Sequence, residues 1–278
     1  LVLVGLAVKA LHARDADDAG AGTQGLGGFH CPLNFGATGE QDGVELGGFL
    51  DGADDGGVVV GHRHVETRRG AGVSRAQGAG IDAISGATIT TAGVRQAVED
   101  ALSQAEAAAG REAGSVRLLA VSKTFPAEAV REAAAAGQQC FGENYVQELA
   151  AKAVELAELG LEWHFIGPLQ SNKTRPVAEC AHWVHSIDRL KIAERLSAQR
   201  PQNMPDLQVC LQVNVSGEAS KSGVSPAEIP ALAAAVAALP RLRLRGLMAI
   251  PEPTSDVALQ RARFAALRAL RDRLNAEG

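Results

Sequence analysis

Val116-Arg117-Leu118-Leu119-Ala120-Val121-Ser122-Lys123-Thr124-Phe125-Pro126 is an apolar, β-type run that ends on a lysine and gives way to a proline suited to the first turn of a helix. An alanine-rich helical segment follows, and Gly137 stands where it should stop. One strand and one helix are thus written back to back. Upstream, Val94, Ala97, Val98, Ala101, Leu102, Ala105 and Ala108 recur at helical spacing as far as Gly110, which predicts a helix ending there.

The alternation continues downstream. The pattern predicts strands at 140–142, 163–166, 183–186, 207–215 and 242–250, with helices at 145–159, near 173–179, 189–198 and 257–274. Ser225-Pro226-Ala227-Glu228 reads as a capping box with proline at the first helical position, opening a helix that runs to Leu239. Strands alternating with helices make an α/β protein with a parallel sheet, either an open doubly wound sheet or a (β/α)8 barrel. Periodicity does not choose between them. Residues 93–278 hold about six such units, short of the eight that close a barrel.

Composition narrows the function classes. The chain has 278 residues, 27 Lys+Arg against 32 Asp+Glu and a formal charge of −5, so there is no global positive field to hold nucleic acid or an acidic membrane surface. Four cysteines, Cys31, Cys140, Cys180 and Cys210, lie far apart with no CxxC pair, which fits reduced thiols and a cytoplasmic setting. The apolar run from Leu1 to Val8 is too short to span a bilayer. Composition also divides the chain. Of 31 glycines, 19 fall in residues 1–80, alongside 10 acidic and 6 basic residues, and this stretch carries no sustained periodicity. Residues 1–90 are therefore expected to be a poorly ordered Gly-rich leader outside the functional domain, and residues 91–278 an incomplete barrel.

Lys123 stands at the carboxyl end of a buried parallel strand, where the active sites of barrels and open sheets are built. Burial there makes an ammonium easier to deprotonate, and a neutral amine can form a Schiff base with an aldehyde. The plainer reading is an exposed lysine closing a strand. Polar groups also mark the other strand ends: Glu143-Asn144-Tyr145, the segment from His164 to Lys173, His185-Ser186-Ile187-Asp188, the segment from Asn214 to Gly223, and Met248. They would converge on one mouth, as in a small-molecule site. Taken singly, Asp188 reads as a helix cap, Met248 as core filling and Glu143 as a solvated loop charge.

The pieces Ala120-Val121-Ser122-Lys123-Thr124, Phe141-Gly142-Glu143-Asn144-Tyr145-Val146-Gln147-Glu148, His164-Phe165-Ile166-Gly167-Pro168-Leu169-Gln170-Ser171-Asn172-Lys173, Val213-Asn214-Val215-Ser216 with Ser220-Lys221-Ser222-Gly223, and Arg245-Gly246-Leu247-Met248-Ala249-Ile250-Pro251 occur in that order. Together they resemble the YggS/PROSC family of pyridoxal phosphate homeostasis proteins over residues 93–278. The resemblance implies the (β/α)8 barrel of alanine racemase's N-terminal domain, with pyridoxal 5′-phosphate as cofactor and Lys123 as its Schiff-base lysine. It implies that Asn144, His164, Asn214 and Met248 line the cofactor pocket and that Lys221 is a second lysine near the mouth. It also implies a carrier acting in vitamin B6 and amino-acid balance, with no established turnover; a monomer is expected. The family's phosphate cradle lies after strands seven and eight, beyond the last residue here.

A racemase of this fold uses a lysine and a tyrosine as opposed bases, the tyrosine coming from a further domain and a partner subunit. Only Tyr145 is present in this sequence. Racemization is the alternative activity for such a site.

Two features lie in the leader. Asp82-Ala83-Ile84-Ser85-Gly86-Ala87-Thr88-Ile89-Thr90-Thr91 is similar to the flavinylation motif of RnfG/NqrC-type FMN-binding domains, which would make Thr88 the residue carrying FMN in an electron-transfer protein. The plainer reading is a loop ahead of a Thr-capped helix. His62-Arg63-His64, Glu66, His30 and Cys31 could be drawn as a metal site, but nothing around them promises a folded scaffold, and no metal site is expected.

Overall fold

The computed structural model describes residues 2–4, 7–9, 57–59, 63–64, 91–217, 222–251, 254 and 256–277. Thr88, Lys221, His30, Cys31, His62, Glu66 and nearly all of the Gly-rich leader lie outside the described residues.

In chain order the strands are β1 (Val2–Val4), β2 (Ala7–Lys9), β3 (Gly57–Val59), β4 (Arg63–His64), β5 (Val116–Val121), β6 (Cys140–Glu143), β7 (Glu162–Phe165), β8 (Trp183–Ile187), β9 (Leu207–Gln212) and β10 (Leu242–Met248). The helices are α1 (Thr91–Ala108), α2 (Ala127–Ala135), α3 (Val146–Glu155), α4 (Thr174–Cys180), α5 (Leu190–Gln199), α6 (Ile229–Ala237) and α7 (Val257–Glu277). Strands β5 to β10 run parallel in sequence order, each joined to the next through a helix, and form a six-strand half-barrel: the alternation predicts the parallel sheet, and the family resemblance predicts the incomplete barrel. No described helix is long and apolar enough to cross a membrane.

Local chemistry explains most boundaries. Gly110 (φ +65°) and Gly137 (φ +95°) take left-handed backbone just past α1 and α2, which leaves glycine as the unstrained residue. Pro126 is the N-cap of α2, one residue ahead of the helix itself. The Ser225 box does not open the helix: Ser225 Oγ donates to Glu228 Oε2 at 2.5 Å as expected, but the pair closes a turn. The helix opens later, on Ile229, with Glu228 as N-cap and Pro230 in its first turn. Asp188 is not the cap of α5 either. That position belongs to Arg189, and the Asp188 carboxylate accepts from Arg189 Nη1 at 2.7 Å.

The core is the layer between sheet and helices. Phe141, Trp163, Phe165, Val184, Val209 and Leu211 from the strands pack on Val130, Leu149, Val177, Ile192, Leu196 and Ile229 from the helices. Alternate residues point to the opposite face, where Leu119, Val121 and Ile166 form a smaller cluster. The outer strands β5 and β10, whose edges a six-strand reading leaves open, are paired. β1 adds parallel to β10, while β2 and β3 add to β5. An edge with free N–H and C=O groups is a template for any apolar segment, and Val2–Val4 and Ala7–Lys9 supply such segments.

Gly167, just beyond β7, has no room for a side chain. A Cβ there would lie 2.1 Å from the backbone oxygen of Asn144. Because the clash is backbone on backbone, Gly167→Ala is expected to destabilise the fold by about 3 kcal/mol. The urea unfolding midpoint measures this, and an unchanged midpoint would contradict the close approach.

Candidate functional site

The carboxyl ends of β5 to β10 make one rim. Val121 pairs with Gly142, so two residues further on Lys123 stands level with Asn144 at the ends of β5 and β6. Met248 pairs with Gln212 at the other side of the six strands, and Val213 N–H donates to Met248 O at 2.8 Å. Asn214 follows directly, its side-chain Oδ1 accepting from Gly217 N–H at 3.0 Å. The segment after it is held back against the strand: Val224 N–H donates to Gln212 O and Asn214 N–H to Val224 O. Gly223 (φ +119°) permits this, since a Cβ there would meet Asn214 N at 2.8 Å. Lys123, Asn144, Asn214 and Met248 therefore share the end of the sheet at which the sequence places them, while Lys221 lies outside the described residues.

His164 sits one layer deeper. It pairs across the sheet with Gly142 and Trp183, and its fully buried ring stacks on Trp183 at 5.6 Å between centroids. Its two nitrogens are engaged, Nε2 with Glu162 Oε1 and Nδ1 with His185 Nε2, both at 2.8 Å. A carboxylate only accepts, which fixes the tautomers. His164 carries its proton on Nε2, its Nδ1 accepts from His185, and His185 is left with a bare Nδ1. That atom is buried with no partner among the described residues. Arg117 Nη2 closes the far end, donating to Glu162 Oε1 at 2.6 Å and to Cys140 Sγ at 2.7 Å. Cys140, Glu162 and His164 also present ligand atoms within 4.8 Å of one another, but the Arg117 cation already bonds the thiol and the carboxylate of this group.

Electrostatics follow burial. Desolvation opposes the charged form of Glu162, yet hydrogen bonds from His164 and Arg117 outweigh it and hold the carboxyl at about 2. Burial pushes His164 down despite Glu162, and pushes His185 well below its ordinary value, so both rings are neutral. Cys210, fully buried, is driven up to about 12 and stays a thiol.

Behind the rim lies a group that the sequence does not announce. Glu143, read as a solvated loop charge, is completely buried. Its Oε1 accepts from Ser122 Oγ and from Lys152 Nζ, each at 2.7 Å. Lys152, on α3, donates also to Ser122 O at 2.7 Å and to Glu148 Oε2 at 3.4 Å. Burial raises the Glu143 carboxyl above its usual range, partly offset by the bonds from Lys152 and Ser122. The only hint in the sequence is the i, i+4 spacing of Glu148 and Lys152, which a surface helix shows just as often.

An organic cofactor with an aldehyde fits the rim. Lys123 stands at the end of β5, and Asn144, level with it at the end of β6, has a buried Oδ1 with no partner among the described residues, as expected of a carboxamide awaiting a polar group. A cavity of about 370 Å³ lies at the other end of the sheet, lined by Arg95, Glu99, Glu106, Arg117 and Gln138 against α1, away from these groups.

Comparison with known proteins follows the same lines. Residues 94–278 match the family of the alanine racemase N-terminal domain, and residues 22–103 match that of the FMN-binding domain, a wider likeness than the ten residues around Thr88. A pyridoxal phosphate homeostasis protein of Pseudomonas aeruginosa is 68% identical over 167 residues, 60% of this chain and 73% of its own length. One of Vibrio cholerae is 57% identical over 188 residues, 65% of this chain and 80% of its own. Among solved structures, PipY of Synechococcus elongatus with pyridoxal phosphate bound superposes with a TM-score of 0.54 at 38% identity, covering 65% of this chain and 82% of that one. A protein of Bifidobacterium adolescentis superposes at 0.62, also 38% identical, covering 68% and 79%.

Burial also lowers His182, whose Nδ1 accepts from Trp163 N–H at 3.0 Å. The unfolded chain protonates its histidines near the ordinary 6.5, while folded His164, His182 and His185 resist. The unfolded state then binds more protons, so stability is fully present above about pH 6.5 and falls as pH drops through it. His182→Asn keeps an acceptor for Trp163 and removes one titrating group. The loss of unfolding midpoint between about pH 7.5 and about pH 5.5 should shrink in this variant, and equal losses would contradict the assignment.

Proposed function

This chain belongs to the alanine racemase N-terminal domain family over residues 94–278, and from that premise we propose that it binds pyridoxal 5′-phosphate and serves intracellular vitamin B6 and amino-acid homeostasis. Lys123 would hold the cofactor through its side-chain nitrogen, as a Schiff base with the cofactor's aldehyde and with release of water. The single observation that carries the reading is the lysine at the end of β5, level with Asn144, whose buried side-chain oxygen has no partner among the described residues. Asn144 and Asn214 offer hydrogen bonds to the cofactor's polar edge, Met248 covers it with an apolar side chain, and Lys221 is the second lysine of the mouth. His164 acts from beneath as part of the floor. When bound, the cofactor supplies a reactive aldehyde that the chain can hand on.

A carrier, not a dedicated enzyme, is the function proposed. The relatives are named homeostasis proteins, and racemization needs a second proton donor facing the lysine. His164, in the layer below, is neutral and already bonded on both nitrogens. We read the protein as a cytoplasmic monomer without nucleic-acid or membrane partners. Its −5 charge and the free Cys140, Cys180 and Cys210 support that setting. Incubation with the cofactor, reduction by borohydride and peptide mapping should place the label on Lys123. Label on another lysine would overturn the assignment.

The match of residues 22–103 to the FMN-binding domain family favours a second, separate reading, in which Thr88 carries FMN through its phosphate. Mass spectrometry after co-expression with the modifying enzyme should find a flavin adduct on the peptide that contains Thr88. An unmodified peptide would leave the plain loop reading in place.

A further inference from the structure

Lys123 occupies a tight turn. Phe125 N–H donates to Ser122 O at 3.1 Å, so residues 122–125 form a β-turn with Lys123 and Thr124 at its corners. Thr124 has φ +67°, a conformation that costs a β-branched residue about 1–3 kcal/mol and that turns usually give to glycine. Something outside the turn holds it there. Thr124 N–H donates to Glu148 Oε2 at 2.8 Å, and the same Ser122 oxygen that closes the turn accepts from Lys152 Nζ at 2.7 Å. Ser122 Oγ is fixed to Glu143, the partner of Lys152. Both corners' flanking peptide groups are thus tied to α3 and β6 by charged side chains.

We propose that Lys152, with Glu143 and Glu148, is the positioning device for Lys123: these residues clamp the Ser122–Phe125 turn so that the Lys123 side chain leaves the strand end in one direction. The clamp serves selectivity as well. Lys152 is the lysine adjacent to the turn, but its three ammonium donors meet three acceptors, Ser122 O, Glu143 Oε1 and Glu148 Oε2, so it has no free lone pair to offer an aldehyde. The buried pair therefore both aims one lysine and withholds another. This rests on the Schiff-base reading of Lys123, and none of the three residues touches the cofactor in it.

The test is the rate of borohydride-trappable label at Lys123 after addition of pyridoxal 5′-phosphate, with exposed Lys191 as internal control. Glu148→Ala removes the acceptor for Thr124 N–H from a partly exposed site on a helix that tolerates alanine. It should slow labelling of Lys123 by about tenfold, leaving the control and the melting temperature unchanged. Glu148→Gln, which still presents a carbonyl to Thr124, should regain most of that rate, and Lys152→Met, where it folds, should slow it at least as much as Glu148→Ala. If the unaltered chain labels at Lys123 and Glu148→Ala labels equally fast, or if Gln and Ala at 148 behave alike, the positioning role falls and the cofactor reading stands. If the unaltered chain carries no label at Lys123, the cofactor reading falls and takes the clamp with it.

Discussion

A carboxylate with no solvent exposure, bonded to an ammonium that is almost as deeply buried, is the constraint on which the rim depends. Taking Glu143 and Lys152 out of water is expensive, and such a pair does not by itself argue for stability. What it enforces is geometry. Removing either partner would strand the other charge in a low-dielectric layer at a cost of about 3–5 kcal/mol, so every conformation that separates them is suppressed. Because Ser122 and Glu148 complete the same network, the end of β5, the end of β6 and the first turns of α3 are fastened at one point.

The opposite face of the sheet carries a second polar system with a different logic. Arg117, Glu162, His164 and His185 form a line of directed hydrogen bonds that begins on a fixed cation and ends on a bare ring nitrogen. Each proton position follows from the one before. Arg245 lies over the Trp183 ring at 5.9 Å with its own Nε unpartnered among the described residues, so an orphan donor and an orphan acceptor flank one indole. Layers of this kind stiffen the floor under a rim, since no member can rotate without breaking a buried bond.

Much of the architecture is legible in the sequence. Glycines 110 and 137, Pro126 and the apolar runs punctuate the chain at real boundaries, and β5, Val116–Val121, lies inside the first apolar run, which goes over into a turn at Ser122 and Lys123. Those are local signals with local causes. The Ser225 box misleads because its side-chain pair forms as expected but closes a turn ahead of the helix. Lys123, Asn144, Asn214 and Met248 could be placed on one rim because parallel strands put their carboxyl ends together. Glu143 and Lys152 could not be recognised as a pair. A lone acid after a strand and a lone base on a helix are ordinary surface residues until the fold brings them together, and the peptide groups they hold carry no mark in the sequence at all. The strand pairing at β5 and β10 was hidden for the same reason, since three-residue apolar segments have no periodicity to read.

Lys152 reaches back 30 residues to the carbonyl of Ser122. A chain emerging from the ribosome amino end first carries Lys123 early but cannot give that lysine its corner until α3 has been synthesised and has docked. During that interval the amine is one flexible side chain among several. Its fixed setting is acquired late, as a product of tertiary closure.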